Sequence, residues 1–312
     1  MSYNVELLFD EVDDGDEYSP FTLEEGWSES LYHERLRTLS YTVTQHNSPP
    51  VDILVLQEIE GEKVVKDLID RHLGKRGFSY YVVSDTSTSP IEIGVISKYP
   101  IIEARIHSVE NMRPIVEVML DIKGERVILF ALHLPSKRIG VEMSELQRLA
   151  SLKALQDIKR TQYGTYYDIP YIIAGDFNES SDAYYREGED FQTALMIESH
   201  EKSIEFNQKG SLLVTGEIPK NGSWYSFYLD PRQMMNQAVD GSYYYGGLWE
   251  GFDHILLSEK FFDNIGLEFV KGGIVSNSTL LNKKGTPYRY QGSNNKGASD
   301  HLPVYVVFEF KQ

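Results

Sequence analysis

Polar side chains that could bind a cation or a phosphate follow several predicted strands of this sequence. The apolar run at residues 169–174 predicts a buried strand, and Asp176 and Asn178 come directly after it, beside Gly175. Alternate residues of an extended chain point the same way, so the side chains of Asp176 and Asn178 share one side. Other predicted strands end in similar residues: Asn4, Glu58, His133, Asp253, Asp300 and His301. Because proteins built on sheets place their chemistry at such ends, we expect these side chains to converge on one cleft.

Each of these residues also has a purely structural interpretation. Gly, Asp and Asn are ordinary turn residues, so residues 175–178 could form only a turn. His133 could be a hydrogen-bonded core histidine, Asp253 a strand-edge residue and Arg113 a surface residue. A structural role for every one of them, each at a predicted strand end, is a weaker explanation than a shared site.

Hydrolysis of a phosphoester is the chemistry that these residue types fit. The phosphate charge must be neutralised, a water must be positioned and deprotonated, and the leaving oxygen must be stabilised. Glu58 is the first choice for a metal ligand, with Asn4 and Asp300 beside it. Asp176 is then free to orient or deprotonate the attacking water, and Asn178 to donate to a non-bridging phosphate oxygen.

The two histidines need carboxylates to fix their tautomers. We expect Asp253 to orient His301, and Glu92, which interrupts an apolar predicted strand, to orient His133. Arg113 would supply a rigid guanidinium fork that binds the phosphate.

Composition limits the cofactor and the substrate. The 312 residues carry a formal net charge of -17, from 30 basic and 47 acidic side chains. That charge argues against an extended cationic surface for nucleic acid, although a local groove near Lys137 and Arg138 would suffice. The sequence has no cysteine, which excludes zinc–thiolate sites, disulfides and thiol nucleophiles. A metal held by oxygen and imidazole is predicted, namely Mg²⁺, with Mn²⁺ or Ca²⁺ as alternatives.

The sequence has no apolar stretch long enough to span a bilayer and no basic segment ahead of an apolar one. We therefore expect a monomer without a membrane span. The sequence as written predicts a cytoplasmic protein, with an exported form as the alternative if an N-terminal signal has been removed.

Periodicity predicts the elements that would position these residues. The predicted helices are residues 28–45, 63–73 and 143–161. Val5, Leu7 and Phe9 fit one face of an opening strand that carries Asn4. The other predicted strands, besides residues 169–174, are 51–57, 80–84, 91–97, 113–120, 126–133, 252–258 and 303–310. A tyrosine-rich stretch, 225–245, either lines a substrate cleft or covers the core. No repeat or linker divides the chain, so one α/β domain over residues 1–312 is expected, built as a sandwich rather than a doubly wound parallel sheet.

The order of the motifs carries a family resemblance. In chain order, the motifs are Asn4, Gln57-Glu58, Gly175-Asp176-Phe177-Asn178, Asp253 and Ser299-Asp300-His301. This series resembles the endonuclease/exonuclease/phosphatase superfamily, which includes DNase I, exonuclease III, apurinic endonucleases, inositol polyphosphate 5-phosphatases and neutral sphingomyelinases. Residues 3–10, followed by an acidic insert, resemble a bacterial branch of that superfamily more closely.

The resemblance implies a DNase I-like four-layer sandwich, in which two packed mixed β-sheets are flanked by helices. It also implies a Mg²⁺ site at one end of the sheets, and it supports the roles given to Glu58, Asp176, Asn178, Asp253, Asp300 and His301. His133 matches the branches that use histidine at this point, as DNase I does. Apurinic endonucleases use tyrosine there, which argues against abasic-site repair.

The sequence therefore predicts a metal-dependent phosphoester hydrolase that cleaves a P–O bond by direct attack of an activated water. A phosphodiesterase or nuclease is the first hypothesis, with nucleic acid as the candidate partner. The alternative is a phosphatase or phospholipase on a small or lipid phosphoester, resembling inositol phosphatases or sphingomyelinases. A non-catalytic binding module on the same fold is a third hypothesis, disfavoured because no expected catalytic position is replaced.

Overall fold

The computed structural model describes residues 1–15, 17–45, 50–86, 89–164, 168–220, 222–292 and 296–311. In this part of the chain the strands are β1 Ser2–Leu8, β2 Ile53–Ile59, β3 Tyr80–Val83, β4 Glu92–Ser97, β5 Ile101–His107, β6 Ile115–Ile122, β7 Glu125–His133, β8 Tyr171–Asp176, β9 Leu195–Ile197, β10 Leu212–Thr215, β11 Trp224–Tyr225, β12 Tyr243–Tyr245, β13 Leu248–Glu250, β14 Asp253–Leu257, β15 Gly266–Ile274 and β16 Val304–Lys311. The α-helices are α1 Glu29–Gln45, α2 Glu62–Leu68, α3 Val141–Tyr163, α4 Ala183–Arg186, α5 Ser203–Gln208 and α6 Pro231–Met234. A π-helical turn, Ile69–Leu73, continues α2.

The described strands form two large sheets and one hairpin. One sheet has the order β15-β16-β1-β2-β4-β3, the other has the order β5-β6-β7-β8-β14-β11-β10-β9, and β12 pairs with β13. Both sheets are mixed, since β1 is parallel to β2 but antiparallel to β16, and β7 is parallel to β8, which is antiparallel to β14. The predicted pair of mixed sheets is confirmed.

Alternating burial assigns each face of the sheets to a layer. In β2, Val55 faces the second sheet and packs in one cluster with Ala174, while its neighbour Leu56 packs with Leu36 of α1. On the other sheet, Phe130 points outward and packs with Leu152 of α3. The order helix, sheet, sheet, helix follows, which is the predicted four-layer sandwich.

A glycine lets the two strands that carry His133 and Asp176 lie close together. Gly175 pairs with Leu132 across β7 and β8, and His133 then pairs with Asp176. Gly175 has a φ of 153°, and a Cβ there would lie 1.9 Å from the Leu132 carbonyl oxygen. Only glycine fits this contact, so Gly175 is required for β7 and β8 to lie this close together next to Asp176.

Two neighbouring strands of the first sheet are irregular where they reach the site. The pairing of β1 with β2 shifts between Asn4 and Leu8, and the pairing of β2 with β4 shifts between Gln57 and Ile59. Glu58 lies inside β2, with a φ of 64°, rather than after the end of the strand as predicted. Such bulges turn a side chain away from its regular direction, which brings Glu58 toward Asn4.

Among the described residues, no helix combines the length and the apolar character needed to cross a membrane.

Candidate active site

Asn4 joins the two sheets at one end of the sandwich. Its Nδ2 donates to Glu58 Oε1 and to Asp176 Oδ2, each at 3.0 Å. Its Oδ1 accepts a hydrogen bond from the Glu6 amide at 3.0 Å, which fixes the orientation of the carboxamide. Two carboxylates, from β2 and from β8, therefore meet around one amide group.

His133 lies beside these two carboxylates. Its Nε2 is 3.6 Å from Asp176 Oδ2 and 3.7 Å from Glu58 Oε1. Burial lowers the pKa of His133 well below its usual value, and the positive charge of Arg113 lowers it further, so the ring is neutral at pH 7. A neutral imidazole can accept or donate one proton at Nε2.

The carboxylate expected to orient His133 has other partners. Glu92 is buried at the start of β4 and accepts hydrogen bonds from the Ser84 hydroxyl and from Thr86, whose amide and hydroxyl lie 2.8 and 2.9 Å away. Within the described residues, a contact between Glu92 and His133 is not present. Glu92 instead fixes the segment that follows β3.

His301 and Asp253 form a buried pair. His301 Nδ1 lies 2.7 Å from Asp253 Oδ2, and His301 Nε2 lies 3.9 Å from Asp176 Oδ2. Burial opposes the charge, but the Asp253 and Asp176 carboxylates hold the pKa of His301 well above its usual value. The Ser299 hydroxyl anchors this loop, because it donates to the Asn4 carbonyl at 2.8 Å and accepts from the His301 amide at 3.0 Å.

Asp176 is the central carboxylate of the cluster. Burial raises the pKa of Asp176 to about 7, with Asp253 adding to the effect and His301 opposing it. Ligand atoms of Asp176, Asp253 and His301 lie within 4.8 Å of one another, so this group could hold a metal ion. Asp253 Oδ1 is buried and has no hydrogen-bond partner among the described residues, which leaves it open to a cation or a donor.

Asn178 braces Asp176. Its amide donates to Asp176 Oδ1 at 2.7 Å, and its Nδ2 donates to Asp176 Oδ2 at 3.1 Å and to the Leu134 carbonyl at 3.0 Å. Both Nδ2 hydrogens are thus engaged. The predicted donation to a phosphate oxygen requires Asn178 to release one of these acceptors.

Asp300, the third predicted metal ligand, is paired with an arginine. Its carboxylate lies 3.2 Å from Arg289 Nη2, and Arg289 also pairs with the Glu6 carboxylate. Burial raises the pKa of Glu6 to about 7, with Asp300 adding to the effect. The guanidinium of Arg289 neutralises Asp300 in this structure, and the metal-ligand role of Asp300 stays a prediction.

Glu6 and Arg289 were not predicted as site residues. Glu6 is two residues after Asn4 in a strand, and that spacing was a signal for a shared face. Arg289 lies in a segment without periodicity, and nothing in the sequence links it to Glu6.

Arg113 and Tyr243 complete the surroundings of the cluster. Arg113 is partly buried just before β6, and its Nε has no hydrogen-bond partner among the described residues. Such a donor fits an anionic group of a substrate. The Tyr243 ring centroid lies 4.7 Å from that of His301, so the tyrosine-rich stretch reaches the site at this residue.

Several solved structures align with this chain over nearly its whole length. D. rerio TDP2, humanized by 14 mutations, aligns with a TM-score of 0.55 and 16% identity over 99% of this chain and 96% of its own. Staphylococcus aureus beta toxin 275-280 aligns with a TM-score of 0.53 and 16% identity over 98% of each chain. An endonuclease/exonuclease/phosphatase family protein from Bacteroides thetaiotaomicron aligns with a TM-score of 0.57 and 15% identity over 100% of this chain and 96% of its own. These likenesses show the fold.

No curated protein matches the sequence. A model described as the endonuclease/exonuclease/phosphatase family matches residues 1–225, which include Asn4, Glu58, His133, Asp176 and Asn178. The chain therefore belongs to the endonuclease/exonuclease/phosphatase family.

Proposed function

We propose that this protein is a divalent-metal-dependent phosphodiesterase that cleaves the P–O bond of a nucleotide or nucleic-acid substrate. Membership of the family supports phosphoester hydrolysis in general. The observation that carries the proposal is the buried His301–Asp253 pair, in which Nδ1 lies 2.7 Å from Oδ2. The other ring nitrogen of His301, Nε2, lies 3.9 Å from the Asp176 carboxylate.

The donor atoms in the cleft fit a hard cation. Glu58 would hold it through a carboxylate oxygen, and Asn4 would join after turning its Oδ1 away from the Glu6 amide. The unpaired Asp253 Oδ1 leaves one more acceptor free in the cluster. Asp300 would join them only after leaving Arg289. When bound, Mg²⁺, Mn²⁺ or Ca²⁺ would neutralise phosphate charge and stabilise the leaving oxygen.

Asp176 is suited to activate the attacking water. Asn4 and Asn178 fix both of its oxygens, and a pKa of about 7 allows Asp176 to accept a proton near neutral pH. The water oxygen forms the new bond to phosphorus, and its proton passes to the carboxylate. The nearby Nε2 of His133 is a second group that holds this water.

His301 is suited to serve the leaving group. Its pKa is held high by two carboxylates, so the imidazolium can donate the Nε2 proton to the ester oxygen as the P–O bond breaks. Asp253 fixes the ring through Nδ1, and Arg113 supplies a positive charge for a non-bridging oxygen.

A phosphatase or phospholipase acting on a small or lipid phosphoester is the second candidate. Two basic side chains that could attract a nucleic acid are already neutralised, which favours this candidate. Lys137 is paired with Glu187 at 3.0 Å, and Arg186 is paired with Asp182 at 2.7 Å. Ion pairing of this kind weakens the attraction of a long polyanion.

The test is hydrolysis of bis-p-nitrophenyl phosphate and supercoiled plasmid, with Mg²⁺, Mn²⁺ or Ca²⁺ and with EDTA. We expect turnover that EDTA abolishes and that the metal restores. Parallel assays use inositol phosphates and sphingomyelin as substrates. Faster turnover of either one than of plasmid would support the phosphatase or phospholipase. Absence of metal-dependent turnover for every phosphoester would leave only a binding module.

A further inference from the structure

Two tyrosine rings on the β12–β13 hairpin form an open slot. Tyr243 and Tyr245 are two residues apart on β12, so both side chains lie on one face of the strand. Their ring centroids are 6.5 Å apart, and the ring planes differ by only 14°. Tyr245 is 74% exposed and Tyr243 is partly buried, so solvent reaches the space between them.

The spacing matches a flat aromatic guest. Stacked bases in nucleic acid are separated by about 3.4 Å, so two parallel rings that hold a third between them stand about 7 Å apart. The Tyr243 and Tyr245 centroids are 6.5 Å apart with nearly parallel planes, which leaves room for one flat ring where the two rings face each other. A puckered ring or an alkyl chain is thicker and offers no π face.

One ring of the slot, Tyr243, contacts His301 of the candidate active site. The Tyr243 ring packs against the His301 imidazole with centroids 4.7 Å apart, and the two residues are also joined by a backbone bridge. Burial raises the pKa of Tyr243, and the Asp300 and Asp176 carboxylates raise it further, as expected for a phenol that faces the cleft. A ring held in the slot would therefore be attached near the phosphate.

The hairpin holds its rings in place. Gly246 and Gly247 have φ values of 60° and 91°, which is the two-residue geometry of a tight hairpin turn. On the opposite face Tyr244 packs edge-on against Trp249, with centroids 5.2 Å apart. The Tyr243 ring stacks on Phe252 at 5.1 Å, with 15° between the planes. A platform fixed before binding loses little entropy when a ligand arrives.

We propose that Tyr243 and Tyr245 form a subsite for the base of a nucleotide whose phosphodiester lies at His301. The assignment rests on the proposed phosphodiesterase function and names its substrate class. Base stacking requires no positive charge, so the subsite suits a chain with a net charge of -17. Inositol phosphates have neither a planar ring nor a positive charge and would gain nothing from the slot. A choline phosphoester would gain only cation–π contact, which does not distinguish a base from an abasic residue.

The experiment compares thymidylyl-thymidine with the same phosphodiester carrying abasic tetrahydrofuran residues. In the wild-type protein, kcat/KM should be about 5- to 100-fold higher for the substrate with bases, as expected for one stacked base. Tyr245→Leu should remove this preference and Tyr245→Phe should retain it. Tyr41→Leu, at an exposed tyrosine of α1, is the matched control and should change neither value. A preference that survives Tyr245→Leu would overturn the proposal.

A binding measurement separates this subsite from the catalytic proposal. Saturation-transfer NMR compares the binding of thymidine 5′-monophosphate with that of ribose 5-phosphate, and neither compound contains a phosphodiester bond for the protein to cleave. We expect transfer to the base protons in the wild type and in Tyr245→Phe, and its loss in Tyr245→Leu. Transfer in the absence of turnover would overturn the proposed function alone, whereas equal transfer in both Tyr245 variants would overturn the subsite.

Discussion

The imidazole of His301 faces one carboxylate through each nitrogen. Asp253 accepts at Nδ1, and Asp176 lies 3.9 Å from Nε2. This arrangement suits proton transfer, but the same three side chains are close enough to share a metal ion. The two interpretations differ in what the removal of His301 does.

His301→Ala should lower kcat by roughly 100- to 10,000-fold, because the leaving oxygen loses its acid. The dissociation constant for Mn²⁺, measured by calorimetry, should change little. Loss of a metal-supporting contact would instead weaken metal binding by about 10- to 100-fold. His72→Ala, on the outer π-helical turn, is the control for removing a histidine. Equal losses in kcat and in metal affinity would show that His301 is a ligand.

Strand-end positions predicted most of the cluster, but they did not predict how its members are paired. Asp176 and Asp253 meet because β14 begins where its antiparallel neighbour β8 ends, which a buried apolar run followed by a polar residue can reveal. The partners of Asp300 and Glu92 depend on Arg289 and Ser84, whose side chains arrive from irregular segments. Sequence spacing carries no information about such contacts.

Helix α3 shows how a buried ion pair changes a helix face. The apolar spacing of Leu146 with Leu149 predicts that Leu146 points inward, but Leu146 is 59% exposed. Arg148 and Glu145 occupy the buried face instead, paired at 2.5 Å, and Arg148 Nη1 donates to the Pro135 carbonyl at 2.9 Å. Glu179 lies 3.4 Å from Arg148 Nε. A pattern of apolar residues cannot predict which face of a helix is buried when that face carries a charged pair.

Several strands were missed because they bury little or are very short. The edge strand β5 is largely exposed: apolar and polar residues alternate from Ile102 to His107, but Ile102 and Ile106 are 49% and 43% exposed and do not face a core. β9 and β10 have three and four residues and are held in place by their pairing with each other. Tertiary pairing, rather than local periodicity, makes these segments strands.

Gly175→Ala should destabilise the protein strongly. The new Cβ would meet the Leu132 carbonyl oxygen at 1.9 Å, so β7 and β8 would have to separate. We expect a loss of about 3 kcal/mol or more in the free energy of unfolding in urea. Gly124→Ala, at a φ of 92° with open space around it, is the control and should cost about 1–2 kcal/mol. Equal losses would mean that backbone conformation, not the close contact, explains the effect.

The architecture of the whole molecule followed from the family resemblance more than from periodicity. Periodicity indicated an α/β sandwich, since strands and helices alternate without a simple βα repeat. It could not place β16 beside β1, or β14 between β8 and β11, because those neighbours are far apart in sequence. Sheet order is a property of long-range pairing.

Protonation of one buried histidine, His254, should oppose folding as the pH falls from about 6.5 to about 4. Burial lowers the pKa of His254 to about 4, and its Nε2 lies 2.9 Å from the Glu179 carbonyl oxygen. In the unfolded chain the imidazole has its ordinary pKa of about 6.5, so the unfolded state binds more protons in this window. This single group should contribute about 2 kcal/mol to the difference in unfolding free energy between pH 7 and pH 5.

The measurement is urea unfolding at both pH values for the wild type and for His254→Gln. The change in unfolding free energy between pH 7 and pH 5 should be more favourable to the folded state in the variant than in the wild type, by about the same 2 kcal/mol, because the other titrating groups are common to both proteins. Identical pH dependence in the two proteins would mean that His254 titrates normally in the folded state.

The hydrogen bond between the Ser299 hydroxyl and the Asn4 carbonyl spans 295 positions of the chain. During synthesis the first strand therefore emerges from the ribosome long before its neighbour β16 exists. A nascent chain lacks His301 until almost all of these residues have been made, and its exposed β1 edge must avoid other partners in the meantime. The proposed phosphoester cleavage therefore begins only after the ribosome has translated the segment that carries Ser299 and His301.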